Sequence, residues 1–572
     1  MKHSFPEGPG RQNQFRAPKR RSPRTLCPIV CAVASGWILA ASAAAQNGPA
    51  ITARSEAQTC AALAQLNLEN VPGGPAFITS GRLVDVSPSG LEQWPATMSG
   101  FGKAGVPART SIRQYCEVTG YVSPQSKFVL KLPSPGDWNQ KFFFRACGGF
   151  CGYPEHILSL FANTALARGY ASATGNGGHE SSLGFDGIWA ADAPELQEDF
   201  GWRSNHVVTL VTRFITTHYY GKPIRLSYMA GGSKGGQAVL MEAQRFPDDF
   251  DGLLAMAPVY EYTVRNTIAA AWFAQAVNDG HGGSVFDAAA SHAIHESVLQ
   301  HCGAQDGVQE AFVADPLSCQ WQPEVIACPS GRDGPDCLSP RQVSAVKRLM
   351  SAATNSRKEV LYAFPYLPGT ETQWAGWNYP GVANPSIPPR FANMDLPAMY
   401  MKYFVDPKRR EKGDALSFDF DRDPATLARA KRIYDATSFD LRAFKARGGK
   451  MLLWHGWADA AISATSSVGY YQGATRFMGG SKQTEDFFRL FLIPGVEHIG
   501  GGPGLTDFDA FSALENWVEK GQAPDKLIAC RSSSGAVERC RPVYPYPIKA
   551  RYSGTGDPNQ AAGFVPVDSL QH

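Results

Sequence analysis

The sequence predicts an α/β protein built on a mostly parallel sheet, interrupted by one large insertion. Three observations predict it. Short apolar runs end repeatedly in glycine-rich turns, stretches of helical periodicity lie between them, and the alternation stops between about Tyr260 and Arg442. Short apolar runs closed by turns are the signature of strands buried on both faces. Helices between such strands supply the crossovers that parallel pairing requires.

In order along the chain, Lys141–Arg145 reads as a strand ahead of Cys147-Gly148-Gly149-Phe150-Cys151-Gly152. A helix is expected over Asn205–Tyr220, capped by Ser204, with Val207, Leu210, Val211 and Phe214 at helical spacing. The run Ile224–Met229 enters Gly231-Gly232-Ser233-Lys234-Gly235-Gly236, and a helix should follow over Gly236–Arg245. Gly252–Met256 is the next strand. Beyond the insertion, Met451–Trp454 leads into His455-Gly456-Trp457-Ala458-Asp459, and Phe488–Ile493 into Pro494-Gly495-Val496-Glu497-His498. Phe508–Lys520 closes the pattern as a helix.

The insertion holds four cysteines, many prolines and the aromatics Trp374, Trp377, Tyr379, Tyr400 and Tyr403. It is far too long for a loop. We read residues 260–442 as an inserted lid domain with its own disulfides, between core segments 46–259 and 443–572.

The N-terminus carries seven basic residues against Glu7, then an apolar stretch from about Leu26 to Ala41 and the small-residue run to Ala45. That order reads as a secretory signal peptide, residues 1–45, and Arg20-Arg21 leaves a twin-arginine variant open. An uncleaved anchor is the alternative; the apolar run falls short of the ~20 residues that span a bilayer. Cleavage removes six net positive charges, so the formal +3 becomes −3. A near-neutral mature chain has no electrostatic footprint for nucleic acid. Export to the periplasm or outside the cell is expected, with no membrane partner after cleavage; oligomeric state stays open.

Of the twelve cysteines, Cys27 and Cys31 leave with the signal and ten remain. An even number in an exported chain implies disulfides. Their connectivity is open at this point, with sequential neighbours the simplest choice.

Gly231-Gly232-Ser233-Lys234-Gly235 fits the G-x-S-x-G pattern of a nucleophile elbow, in which a serine sits on a sharp strand-to-helix turn. The elbow assigns the core to the α/β-hydrolase type. A nucleophilic serine needs a base, and the base needs an orienting carboxylate. In such folds they follow as acid, then histidine, each beyond a later strand. Asp459 and His498 meet that order, with Asp507 and Asp509 as rival acids. His455 is expected to bond locally. His156 and His179 lie in loops ahead of the serine, while His292, His295 and His301 read as one helix face. The Lys234 N–H and an amide at Gly148 or Gly149 are the candidate oxyanion donors, with Cys147 and Cys151 flanking the glycines. A tight structural turn is the plainer reading of that segment.

At these residues the sequence resembles the tannase/feruloyl esterase family, which includes mono(2-hydroxyethyl) terephthalate hydrolases. The likeness runs from the region of Cys60 through Gly148-Gly149-Phe150, Tyr219-Tyr220-Gly221-Lys222-Pro223, Glu242–Gly252 and Ala257-Pro258 to His455–Asp459 and His498. It implies hydrolysis of feruloyl, galloyl or terephthaloyl esters, a small-molecule substrate and no organic cofactor. Lid aromatics would stack on the acyl ring, with Trp377 and Tyr403 as candidates, although lid aromatics are more often core. The resemblance supports the pairs Cys60–Cys116, Cys302–Cys319, Cys328–Cys337 and Cys530–Cys540; Cys147–Cys151 is added from their proximity. It also implies a calcium loop after Cys302, with ligands from Asp306 and Glu310 side chains and the Val308 and Phe312 carbonyls. Gly303 stands where an aspartate is usual, and Glu310 replaces an aspartate. A plain surface loop tied by Cys302–Cys319 is the alternative.

One departure bears on the site itself. The family's cysteines beside the nucleophile and after the histidine are here Gly232 and Ile499, both changed together, so the triad should be held by packing alone. Two other functions stay open: a peptidase or aliphatic-polyester depolymerase on the same fold, and a secreted binding protein without activity.

Overall fold

Nine strands form the central sheet in the computed structural model. The structure describes residues 55–568 apart from 88–89, 92–98, 103–109, 155–160, 182–184, 331, 333, 382–389, 406–413 and 534–535. The expected signal peptide, Cys27, Cys31 and His156 lie outside the described residues. In chain order the strands are β1 (Ala76–Asp85), β2 (Gln114–Val122), β3 (Ser126–Pro133), β4 (Lys141–Arg145), β5 (Ala171–Gly175), β6 (Leu226–Gly232), β7 (Gly252–Met256), β8 (Lys450–Gly456) and β9 (Phe488–Ile493). Their order across the sheet is β1-β2-β3-β5-β4-β6-β7-β8-β9. Pairing is antiparallel from β1 to β5 and parallel from β5 to β9.

The parallel strands β4 and β6–β9 are the ones read from sequence, because they are largely apolar on both faces. All five residues of β7 are buried, as are the last four of β4 and the last six of β8. The antiparallel β1 and β2 are partly exposed and interrupted by polar residues, while β3 is mostly buried but its short run Phe128–Leu130 is flanked by Lys127 and Lys131. β5 is Ala-Ser-Ala-Thr-Gly, fully buried yet too small to register as apolar.

Helices fit the expectation with shifted ends. α1 (Ser204–Tyr220) has no cap at Ser204, because the chain enters it through a π turn, Asp199–Arg203. α2 (Lys234–Arg245) begins directly after Ser233. Between β7 and β8 lie α3 (Ala270–Val277), α4 (Ala288–Cys302), α5 (Pro340–Leu349) and α6 (Ala392–Tyr400). They build a second apolar cluster around Trp374, Tyr400 and Phe404, which also takes in Phe150, Ala190 and Phe200 from the first half of the chain. After β9, Asp509 caps α7 (Ala510–Lys520). Two C-terminal hairpins follow: β10 (Leu527–Ser533) with β11 (Ala536–Val543), and β12 (Ile548–Tyr552) with β13 (Phe564–Asp568).

Five disulfides join Cys60–Cys116, Cys147–Cys151, Cys302–Cys319, Cys328–Cys337 and Cys530–Cys540. Among the described residues no helix is long and apolar enough to cross a membrane.

Candidate active site

β4 is flanked by β5 on one side and β6 on the other, so the chain changes direction across the sheet there. The carboxyl ends of strands at such a switch point are where open α/β sheets bind ligands. The turn after β4 and Ser233 after β6 both lie at that edge. Ser233 has φ 60° and ψ −121°, a left-handed conformation that costs a side-chain-bearing residue energy. The surroundings enforce it. Its N–H donates to the Met256 carbonyl at 3.0 Å, and its own carbonyl accepts from the amides of Gln237 at 3.1 Å and Val259 at 3.3 Å.

The elbow glycines are dictated by backbone contact. A Cβ on Gly231 would lie 2.1 Å from the Gly235 carbonyl oxygen, and one on Gly235 would lie 2.9 Å from the Cys147 carbonyl oxygen. The second contact places the turn after β4 against the start of α2. In that turn the Cys147–Cys151 bridge encloses Gly148 and Gly149. The Gly148 carbonyl accepts the Cys151 N–H at 2.9 Å, and the Gly149 carbonyl accepts the Tyr262 hydroxyl at 3.0 Å. Lys234 is the first residue of α2, where helix geometry offers its N–H no intrahelical acceptor. The three candidate oxyanion residues therefore share one corner.

Asp459 and His498 come from the loops after β8 and β9, neighbouring parallel strands. His498 Nδ1 lies 2.7 Å from Asp459 Oδ2. Asp459 is buried, and its other oxygen accepts the amides of Ala461 and Ile462, each at 2.8 Å. His455 bonds locally, as expected, and one of its partners is the same carboxylate: its Nε2 lies 3.0 Å from Oδ2, while its Nδ1 meets the Ser467 hydroxyl at 2.7 Å. Burial pushes the Asp459 carboxyl up, but the charges and hydrogen bonds of His498 and His455 outweigh it and hold the group well below the usual carboxylate range. Asp509 caps α7, and the Asp507 backbone pairs with Cys530.

Gly232 and Ile499 meet directly. A Cβ on Gly232 would stand 2.9 Å from Ile499 Cγ2. The chain neighbours of the serine and of the histidine are thus in van der Waals contact, which brings the two loops together. Ile499 has φ 52°, unusual for a β-branched residue, and its carbonyl accepts the Ser99 amide at 3.0 Å.

Trp377 stands beside the site, its ring centroid 6.4 Å from that of His498 in an edge-on arrangement. The Arg265 guanidinium lies 5.6 Å from the Trp377 ring centroid. Tyr403 is placed differently. It sits on a π turn, Met401–Val405, with its ring beneath Lys402 and its carbonyl bound by Gln197 Nε2 at 3.3 Å. The Lys234 side chain is buried, with Nζ 4.5 Å from the Phe200 ring centroid, and burial pushes its ammonium down to about 7. His179 is fully buried and stacked on Trp189 at 3.5 Å; burial first, and then the Lys234 charge, push it down to about 3. His295 and His301 lie on α4, facing Glu371 and the Ser297 carbonyl.

The residues expected around calcium do not fit that ion. Both Glu310 oxygens are taken by guanidinium groups, Oε1 by Arg541 Nη2 and Oε2 by Arg539 Nη1. Asp306 Oδ1 accepts the Val308 amide at 3.1 Å, and Oδ2 lies 3.9 Å from Arg541 Nε. Calcium requires about 6–8 oxygen ligands, and Gly303 supplies no side chain. Arg539 and Arg541, two apart on β11, were legible as a same-face pair; nothing in the sequence marked their target.

Residues 110–567 match the family model described as tannase and feruloyl esterase. A mono(2-hydroxyethyl) terephthalate hydrolase from Piscinibacter sakaiensis is 32% identical over 519 residues, covering 80% of this chain and 85% of that protein. A probable feruloyl esterase from Arthroderma benhamiae is 30% identical over 452 residues, covering 76% and 81%. In structure the chain is similar to feruloyl esterase B from Aspergillus oryzae, with TM-score 0.74 and 24% identity over 90% of this chain and 100% of that one. It is also similar to a tannin acyl hydrolase from Aspergillus niger, with TM-score 0.72 and 18% identity over 90% and 96%.

Proposed function

This chain belongs to the tannase and feruloyl esterase family and is a carboxylic ester hydrolase; from that premise we propose that it cleaves esters of aromatic acids through a serine acyl-enzyme. The observation carrying the mechanism is the contact of Gly232 with Ile499, which joins the serine loop to a histidine already 2.7 Å from a buried carboxylate. Ser233 attacks the ester carbonyl and passes its proton to His498 Nε2. Asp459 holds the Nδ1–H tautomer and stabilises the imidazolium. The Lys234 amide and an amide of the Gly148-Gly149 turn receive the oxyanion. His498 then protonates the leaving alcohol and activates the water that releases the acid.

The relatives named for feruloyl and terephthalate esters, with Trp377 beside His498, favour a planar acyl group of the feruloyl, galloyl or terephthaloyl type. The segment 260–442 acts as the lid that supplies this aromatic wall. Five disulfides favour an exported protein, periplasmic or extracellular.

A fluorophosphonate probe tests the nucleophile: the folded protein is labelled and Ser233→Ala is not. Labelling that survives in Ser233→Ala assigns the nucleophile elsewhere, and a folded wild type that is never labelled is a binding protein. A panel of methyl ferulate, methyl gallate, a terephthalate monoester, an aliphatic polyester and a peptide amide tests the substrate class. We expect turnover confined to the first three; preference for either of the others overturns the assignment.

A further inference from the structure

We infer that Arg539 and Arg541 serve as an internal cation pair that takes the place of a bound divalent metal in closing the loop of residues 303–312. The Glu310 side chain is fully buried and forked between the two guanidinium groups, and Asp306 Oδ2 faces the same Arg541. Two carboxylates against two guanidinium groups sum to zero. A divalent cation added here would leave two positive charges uncompensated among buried groups, where an unpaired charge is strongly disfavoured by desolvation.

The sequence builds this arrangement on one strand. Arg539 and Arg541 alternate on β11 and so project from the same face. Cys540 between them turns away to bond Cys530, which pins the hairpin that presents both arginines. The Phe564 ring covers Arg541 with its centroid 4.2 Å from the guanidinium carbon, and the Arg541 side chain is only 3% exposed. The loop backbone is tied down as well, with the Asp306 carbonyl accepting the Tyr552 amide at 2.7 Å. At its far end Phe312 packs on the turn before His498, its Cβ 2.5 Å from where a Cβ on Gly495 would stand. Each guanidinium meets one oxygen of Glu310, and the several donors of Arg541 let it face Asp306 as well, a task to which arginine is suited and lysine is not.

The test is thermal unfolding of the purified mature chain with a calcium chelator and with excess calcium chloride, together with metal analysis. We expect superimposable curves and no stoichiometric calcium. A melting temperature that falls with chelator and recovers with calcium, or one calcium per chain, overturns the inference. The variant Gly303→Asp, Arg539→Met, Arg541→Met restores a carboxylate and removes both cations. It should melt lower than wild type in chelator and regain stability in calcium; a folded triple variant indifferent to calcium also overturns the inference. If that variant does not fold, the wild-type measurements decide alone.

Discussion

Asp459 carries two imidazole contacts on one oxygen and two backbone amides on the other. His455 Nε2 faces two acceptors, Asp459 Oδ2 and the Ile462 carbonyl, so it must carry a hydrogen, while Nδ1 pairs with the Ser467 hydroxyl. Because the folded carboxyl titrates below its unfolded value, its stabilising contribution is fully present above the ordinary carboxylate range. It is lost as pH falls toward the depressed folded value. Denaturant titrations from neutral to acid pH should therefore show a stability loss that Asp459→Asn removes. The same substitution should lower kcat by about 10⁴-fold, because an amide favours the wrong histidine tautomer. At the other end of the site, Gly232→Ala inserts a methyl 2.9 Å from Ile499 Cγ2 and pushes against the histidine loop. We expect kcat to fall with KM nearly unchanged. The pair Gly232→Cys with Ile499→Cys should instead form a disulfide, read as no gain in free thiols, with activity retained.

At the scale of elements, the elbow and the turn beside it are one backbone unit. Gly231→Ala drives a Cβ into the Gly235 carbonyl at 2.1 Å, an overlap that no side-chain rotation relieves, so the variant should fail to yield folded protein. The disulfides separate stability from activity. On a chain-entropy model the Cys60–Cys116 bridge, spanning 56 residues, contributes about 4 kcal/mol, and the Cys147–Cys151 bridge, spanning four, about 2 kcal/mol. Removing the first by Cys60→Ser, Cys116→Ser should cost more stability in denaturant unfolding. Removing the second by Cys147→Ser, Cys151→Ser should cost more kcat, since it frees the Gly148-Gly149 turn.

Across the whole molecule, the second apolar cluster ties the insertion to the first half of the chain through Phe150, Ala190 and Phe200. The described chain from Ser55 onward forms one compact unit. The insertion should not melt separately: calorimetry should give one transition, with no earlier step assignable to residues 260–442. The C-terminal hairpin of β10 and β11 adds a further tie, since Arg531 Nη1 reaches the Gly502 carbonyl at 3.1 Å in the loop after His498.

Sequence by itself marked strands β4 and β6–β9 and the strand–turn–helix around Ser233, and the family resemblance supplied four of the five cysteine pairs. Each is written in local pattern or family motif: doubly buried strands must be apolar throughout, and a sharp strand–helix turn must carry glycine. It did not reveal β1–β3, whose apolar residues are broken up by polar ones, or β5, whose residues are very small, nor that His455 reaches Asp459. Only the tertiary structure decided which aromatic of the insertion stands beside His498 and what answers the charge of Glu310. Trp377 and Tyr403 are alike as aromatics of the insertion in the sequence, yet Trp377 has its ring beside His498 while the Tyr403 ring lies against Lys402. Glu310 and Arg541 are 231 residues apart. No local pattern encodes a pairing made by loops and hairpins that meet only after the chain has folded.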